Sequence, residues 1–387
     1  MSSSSSRRQF LSAGLMLPVA GAASRFDFLD TEKPAPKIAK TPRLDYRTLG
    51  KTGLKVTTVG FGCMITSDPS VITRAADLGI NYFDTARGYQ NGNNERMVAA
   101  VLGAKRKDIV LSTKSIANNK EGLLKHLDTS LGELKTDYVD IWYLHAKDIP
   151  SAINDEMIEA QQIAKQQGKI RFAGMSTHAL PKMTEWTVDK KAFDVVLTVY
   201  NFTMDPKADE AIAAVAKTGT GVVAMKIMAG GARARRPGEK VDPRMQREGA
   251  MLSALKWVLH KPNIHTTIPS MTDMDQLDEN LLAMAEKFAP VDEKTLAAHL
   301  EKIAPYYCRF CGECDGACKK GLEIANTLRI LTYAEGYGQF ALARERFNEL
   351  PAHHATSRCG NCAECTVNCP HGVRVAERIS RAQELFA

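Results

Sequence analysis

The stretch Asn81-Tyr-Phe-Asp-Thr-Ala-Arg-Gly-Tyr89 decides how this chain is read. An apolar run from Ile80 to Phe83 reads as a buried strand, and it stops at the charge of Asp84. A glycine-containing loop follows, carrying Tyr89 and Glu95. Packing alone does not ask for a carboxylate at a strand end with a phenol in the next loop. In closed parallel barrels the chemistry stands where strands end and loops begin.

Outward from that stretch the pattern alternates from Thr48 to Ala289. Apolar strands are expected at Val56–Gly60, Tyr82–Thr85, Ile109–Thr113, Tyr138–Leu144, Ile170–Ser176, Val195–Tyr200, Gly221–Lys226 and His265–Pro269. Helical spacing lies between them, as at Leu123, Leu124, Leu127, Leu131 and Leu134. Eight such units fit a closed (β/α)8 (TIM) barrel better than an open doubly wound sheet. No Gly-x-Gly-x-x-Gly follows the first strand, which argues against a Rossmann domain. Asp292 is expected to cap a helix running through Ala304. The division that results is an export signal at 1–23, a linker at 24–43, a barrel at 44–290 and a small, mainly helical domain at 291–387.

The totals narrow the function class. Hydrophobic residues make up 44% and charged residues 25%, the balance of a soluble globular protein. The net charge of +7 is spread along the chain and gives little support to nucleic-acid binding. No run reaches the roughly 18 consecutive apolar residues that a membrane span needs. Ser6-Arg7-Arg8-Gln9-Phe10-Leu11, with the apolar run after it, resembles a twin-arginine export motif. Ala20-Gly21-Ala22 supplies a small-residue cleavage site. The expected location is periplasmic, or cytoplasmic if the signal is not used. That route exports folded proteins, which suits a chain that acquires metal clusters before export.

Four strand-end positions suggest one chemistry. Asp84 ends the second strand and Tyr89 follows it; Lys114 ends the third strand and His145 the fourth. A phenol near an ammonium can protonate a carbonyl oxygen during hydride addition. A carboxylate would hold that ammonium, and an imidazole would hydrogen-bond the oxygen. Cys63, at the end of the first strand, reads as packing.

The chain resembles the aldo-keto reductase superfamily over residues 44–290. The carrying stretches are Arg47-Thr-Leu-Gly-Lys-Thr-Gly-Leu-Lys-Val, Phe83-Asp-Thr-Ala, Ser112-Thr-Lys, Asp140 to His145, and Ile268-Pro-Ser to Glu279-Asn280. The resemblance implies that Asp84, Tyr89, Lys114 and His145 form a catalytic tetrad. It also implies that Ser176, Thr177, Tyr200 and Asn201 lie at the nicotinamide of NADP or NAD, and that Glu279 and Asn280 face the adenine. Ser270 and Gln276 stand where the family carries a Lys and an Arg for the 2′-phosphate. Thr177 replaces an Asn, and Leu197 stands where a Gln is frequent. Arg233, Arg235, Arg236 and Lys240 make the seventh loop basic: either a replacement phosphate grip or a solvated loop.

Eight of the nine cysteines fall in two runs, Cys308-x2-Cys311-x2-Cys314-x3-Cys318 and Cys359-x2-Cys362-x2-Cys365-x3-Cys369-Pro370. This spacing holds three thiolates on one [4Fe-4S] cluster while the fourth reaches the other cluster. Zinc prefers separated pairs, and disulfides do not need the repeat. The runs resemble two-cluster bacterial ferredoxins with a long insert. Lys319 stands where a Pro is frequent, and Lys319 and Lys320 are either a potential-raising pair or a solvated one. The expected protein is a reductase for a small carbonyl or alcohol, with two [4Fe-4S] clusters serving a redox partner protein. The rival reading is a non-enzymatic electron carrier whose barrel is a docking scaffold.

Overall fold

The computed structural model describes residues 43–230, 249–359, 362 and 364–387. The export signal, the linker apart from Arg43, and the basic residues of the seventh loop lie outside the described residues. Eight parallel strands form the barrel: β3 (Phe61–Gly62), β4 (Tyr82–Asp84), β5 (Val110–Ser115), β6 (Val139–Leu144), β7 (Ile170–Thr177), β8 (Val195–Val199), β9 (Gly221–Met225) and β10 (Thr266–Thr267). Each pairs with its neighbour in chain order. The ring closes through a parallel bridge from Val59 to Thr267, where Gly60 N donates to Thr267 O at 2.8 Å.

The expected first strand, Val56–Gly60, serves two elements. Lys55–Thr57 is strand β2 of an antiparallel hairpin with β1 (Tyr46–Thr48), and the barrel strand begins beyond it. The hairpin delivers Leu49, Leu54 and Val56 into the barrel interior beside Tyr82, Ile141, Tyr143 and Val223. A run apolar enough for one strand is therefore divided between a plug and a stave. Inside, Tyr82 and Tyr143 share a 2.8 Å hydroxyl contact. Gly174 makes room for that ring: a Cβ there would lie 2.5 Å from Tyr143 Cδ1.

The outer layer is helical: α1 (Pro69–Asp77), α2 (Asn93–Leu102), α3 (Lys120–Leu134), α4 (Asp155–Gln166), α5 (Leu180–Lys190), α6 (Pro206–Lys217), α7 (Ala250–Leu259) and α8 (Met274–Ala285). Leu123, Leu127, Leu131 and Leu134 face the sheet from α3, as their spacing requires. Glu95, expected in the loop after Asp84, lies instead on the first turn of α2 and is fully buried. Helix α9 (Pro290–Ile303) starts before Asp292, which is its third residue rather than its cap. The carboxylate reaches back to accept from Ala289 N at 2.8 Å and pairs with Lys256 at 2.8 Å.

Four helices follow: α10 (Ile324–Glu335), α11 (Phe340–Asn348), α12 (His353–Thr356) and α13 (Val375–Phe386). Gly336 and Gly338 break the helical run between α10 and α11, as expected. Glu335 receives Arg378 at 2.6 Å and Arg381 at 3.2 Å, which ties α10 to α13. These helices pack on the C-terminal end of the barrel. Val199 and Ala229 share a cluster with Ile303, Tyr307, Phe310 and Leu328. Contact is close enough that a Cβ on Gly336 would lie 2.0 Å from Gly230 O. Among the described residues, no helix is long and apolar enough to cross a membrane.

Candidate active site

Asp84 closes β4, and the chain then turns sharply. Tyr89 N donates to Ala86 O at 3.0 Å, and Gln90, Asn91 and Gly92 follow with left-handed backbone. A buried network fixes this turn. Arg87 pairs with Glu95 at 2.5 Å, Glu95 accepts from Thr113 Oγ1 at 2.7 Å, and Asn94 Nδ2 donates to Cys63 O at 2.8 Å. Lys114 and His145 project from the ends of the next two strands. All four expected residues, Asp84, Tyr89, Lys114 and His145, line one cavity of about 490 Å³. Lys114 Nζ lies 2.5 Å from Asp84 Oδ2, 2.8 Å from Thr85 O and 3.2 Å from Tyr89 Oη. The rings of Tyr89 and His145 meet edge to face, with centroids 5.9 Å apart.

Burial and charge act against each other at this site. Burial would weaken the Lys114 ammonium, but Asp84 and Tyr89 outweigh it and hold its pKa above the ordinary value. Burial lifts the Tyr89 phenol above its usual value, and the pull of Lys114 only partly offsets this. The expectation that the ammonium makes the proton easier to give thus holds for the sign of its own effect, not for the sum. Burial lifts the Asp84 carboxyl too, against Lys114 and a 2.7 Å hydrogen bond from Ser112 Oγ. Burial pushes His145 well below its usual range, and Lys114, His178, Arg329 and Arg346 push the same way. His145 is therefore a neutral imidazole at neutral pH, and its Nδ1 is buried without a hydrogen-bond partner among the described residues.

The expected cofactor residues divide. Ser176, Ser270 and Gln276 border the cavity. Ser176 Oγ accepts from Ala146 N at 2.9 Å. Gln276 is already engaged near the start of α8, donating to Thr272 Oγ1 at 3.0 Å and Asp273 Oδ2 at 2.7 Å. Thr177 turns away, donating to Asp148 at 3.1 Å and accepting from Ala179 N at 3.0 Å. Tyr200 also lies off the cavity, stacked on Trp257 with its hydroxyl on Asp209. Asn201 ties the loop after β8 to Lys226 O at 3.1 Å and Tyr307 Oη at 3.2 Å. Glu279 and Asn280 sit on α8 and do not border the cavity. Cys63 is buried in the core, where burial and the charge of Asp84 hold its thiol protonated.

Sequence reasoning missed the roof. Arg329 and Tyr333 of α10, Tyr337, and Leu342 and Arg346 of α11 line the same cavity. It also passed over Lys226, a charge ending an apolar run just as Lys114 does. Phe310, inside the first cysteine run between Cys308 and Cys311, packs on His178 with ring centres 5.8 Å apart. His178 borders the cavity and contacts Asp148 Oδ2 at 3.1 Å. Burial, with Arg329 beside it, brings His178 down to about 4 despite Asp148, so that contact joins a neutral imidazole to a carboxylate.

The cysteines form two groups that cross the two runs. A small pocket is lined by Cys359, Cys362, Cys365 and, from the other run, Cys318. Cys308 is electrostatically coupled to Cys311, Cys314 and, from the other run, Cys369. Burial and that mutual repulsion hold Cys308 up to about 12 and Cys314 up to about 11. Among the described residues, no three Cys, His, Asp or Glu side chains converge on a single metal ion. A cubane, with its thiolates spread over separate corners, does not require them to.

A closed parallel barrel with this pocket at its strand ends defines an oxidoreductase class. The aldo/keto reductase family model matches residues 67–301, and the chain belongs to that family. A Bacillus subtilis (strain 168) protein described as an uncharacterized oxidoreductase is 27% identical over 299 residues, covering 66% of this chain and 96% of its own. L-galactose dehydrogenase of Arabidopsis thaliana is 29% identical over 302 residues, covering 66% of this chain and 93% of its own. Among solved structures, the holo form of an aldo-keto reductase from Bacillus halodurans superposes with a TM-score of 0.55 at 25% identity, covering 66% of this chain and 96% of that one. Membership makes the protein an oxidoreductase of carbonyl and alcohol groups and implies NAD(P) use. It decides against the bare scaffold.

Proposed function

We propose that the chain interconverts a small carbonyl compound and its alcohol, with Tyr89 as the proton donor to the carbonyl oxygen. The observation that carries this reading is Lys114 Nζ, held between Asp84 at 2.5 Å and Tyr89 at 3.2 Å inside the shared cavity. A bound nicotinamide would supply the hydride. Burial keeps Tyr89 protonated in the resting site, so its proton leaves only as negative charge grows on the substrate oxygen. The phenolate left behind gains the Lys114 ammonium, which Asp84 keeps charged and oriented. Neutral His145 lends an N–H to the same oxygen without taking the proton. Tyr89→Phe should abolish turnover and leave the visible cluster absorbance unchanged. Turnover that survives intact rules out Tyr89 as the acid.

The fit to a dinucleotide is partial. Ser176 and Ser270 border the cavity with their side chains available to one, whereas Gln276, Tyr200 and Asn201 are engaged elsewhere. Gln276 has no charge to offer a 2′-phosphate. Asp273 and Asp275 stand beside it at the start of α8. This supports NAD over NADP. The crossed cysteine groups, Cys308, Cys311, Cys314 with Cys369 and Cys359, Cys362, Cys365 with Cys318, support two [4Fe-4S] clusters, which would supply one-electron transfer to a partner protein. The Arg7-Arg8 leader supports export to the periplasm after folding.

A further inference from the structure

The cavity that holds Tyr89 also holds cations that no carboxylate answers among the described residues. Lys226 follows β9 in a left-handed conformation, φ 54°. Its Nζ lies 3.4 Å from Tyr333 Oη and 4.8 Å from the centre of that ring. Arg329, one turn earlier on α10, donates to Asn326 at 3.0 Å and faces His178 Nε2 at 3.3 Å. Its Nε is buried with no hydrogen-bond partner among the described residues. Among the described residues no carboxylate comes within 4.0 Å of either cation. Of the other cations of the cavity, Lys114 is answered by Asp84, Arg346 by Glu349, and Lys147 donates to Asn118 at 3.0 Å.

Both side chains are partly buried, and cations held there without a counter-charge favour an anion beside them. The Tyr333 phenol registers the imbalance. Burial would raise its pKa, yet Lys226, Arg329 and Arg346 together bring it below the usual value.

We propose that Lys226 and Arg329 form an oxyanion site in the roof of the cavity, and that the carbonyl substrate bears a carboxylate or phosphate seated there while its carbonyl meets Tyr89. The reacting end of this assignment rests on the carbonyl chemistry above; the anionic end does not. The pyrophosphate of a dinucleotide has the same oxyanion chemistry, so the test must separate the two sources.

The full chain is titrated by calorimetry with para-carboxybenzaldehyde and para-hydroxymethylbenzaldehyde, close in size and different in charge, with and without saturating NAD+, which carries the pyrophosphate but has no hydride to give. The carboxylate is expected to bind about tenfold or more tightly, the effect of one charge-assisted hydrogen bond. That advantage should shrink as salt is added. It should fall toward unity in Lys226→Met and in Arg329→Gln, which lie on separate elements, so that one variant still reports if the other does not fold. Equal affinities in the unsubstituted chain overturn the site. If NAD+ erases the advantage, or the variants lose NAD+ affinity with the aldehyde ratio intact, the cations serve the pyrophosphate and the substrate assignment is overturned. A chain that prefers the carboxylate yet reduces neither aldehyde refutes the carbonyl chemistry and leaves the oxyanion site supported.

Discussion

Replacing Lys114 by Met strands a charge, and the cost follows from the geometry. Asp84 is 1% exposed, and without the ammonium its one remaining side-chain partner among the described residues is Ser112 Oγ at 2.7 Å. Removing one member of a buried ion pair costs about 3–5 kcal/mol, because the other charge is left without compensation. The sign of the pH dependence can be worked out as well. The Asp84 carboxyl, already lifted by burial, rises further once Lys114 is gone. A carboxyl raised in the folded state binds more protons folded than unfolded, so its stability contribution is present at low pH and lost as pH rises through the folded pKa. Lys114→Met should therefore be most damaging near about pH 8 and milder near about pH 5. Adding Asp84→Asn removes the stranded charge, and the double variant should recover a large part of the loss. Urea unfolding followed by tryptophan fluorescence reads the barrel alone, since Trp142, Trp186 and Trp257 all lie in it. A cost under about 1 kcal/mol, the range of an exposed pair, would refute the reasoning. So would a double variant no more stable than the single.

Cys318→Ser should disrupt the cluster held by Cys359, Cys362 and Cys365, and Cys369→Ser the one held by Cys308, Cys311 and Cys314; iron content should fall from about eight toward about four per chain in each case, with different residual electron paramagnetic spectra. Gly336→Ala drives a methyl into Gly230 O, 2.0 Å away, and should lift α10 from the barrel; a lower melting temperature with a raised KM is expected, and unchanged values for both would show that the contact yields. His178, held down to about 4 against an unfolded value of about 6.5, should cost stability as pH falls between those values, by roughly 3 kcal/mol in total, because the unfolded chain takes the proton first. His178→Gln should flatten that part of a stability-against-pH curve.

The barrel was legible because a buried strand between helices has to be short, apolar and ended by a turn, and eight such runs stand in order. The site was legible for the same reason: Asp84, Lys114 and His145 are polar residues at the ends of such runs, and topology brings strand ends together. Val56–Gly60 was misread because apolar character does not say whether a run pairs antiparallel below the barrel or parallel within it. Tyr200 and Asn201 end an apolar run too, but one step of strand rotation sends Tyr200 outward to Trp257 and leaves Asn201 to brace Lys226. Arg329 and Tyr333 lie 240 and 244 residues from Tyr89, on a helix whose visible signal is amphipathicity. Where such a helix docks is settled by contacts such as Gly336 against Gly230, which no local pattern announces.

The roof also limits what kinship can teach. The family match ends at residue 301, before Arg329, Tyr333 and Arg346. The relatives named above each match 66% of this chain, so their names do not speak for that surface. On the proposal above, the molecule that carries the reacting bond is chosen jointly by Lys226 of the barrel and Arg329 of the helices added beyond it.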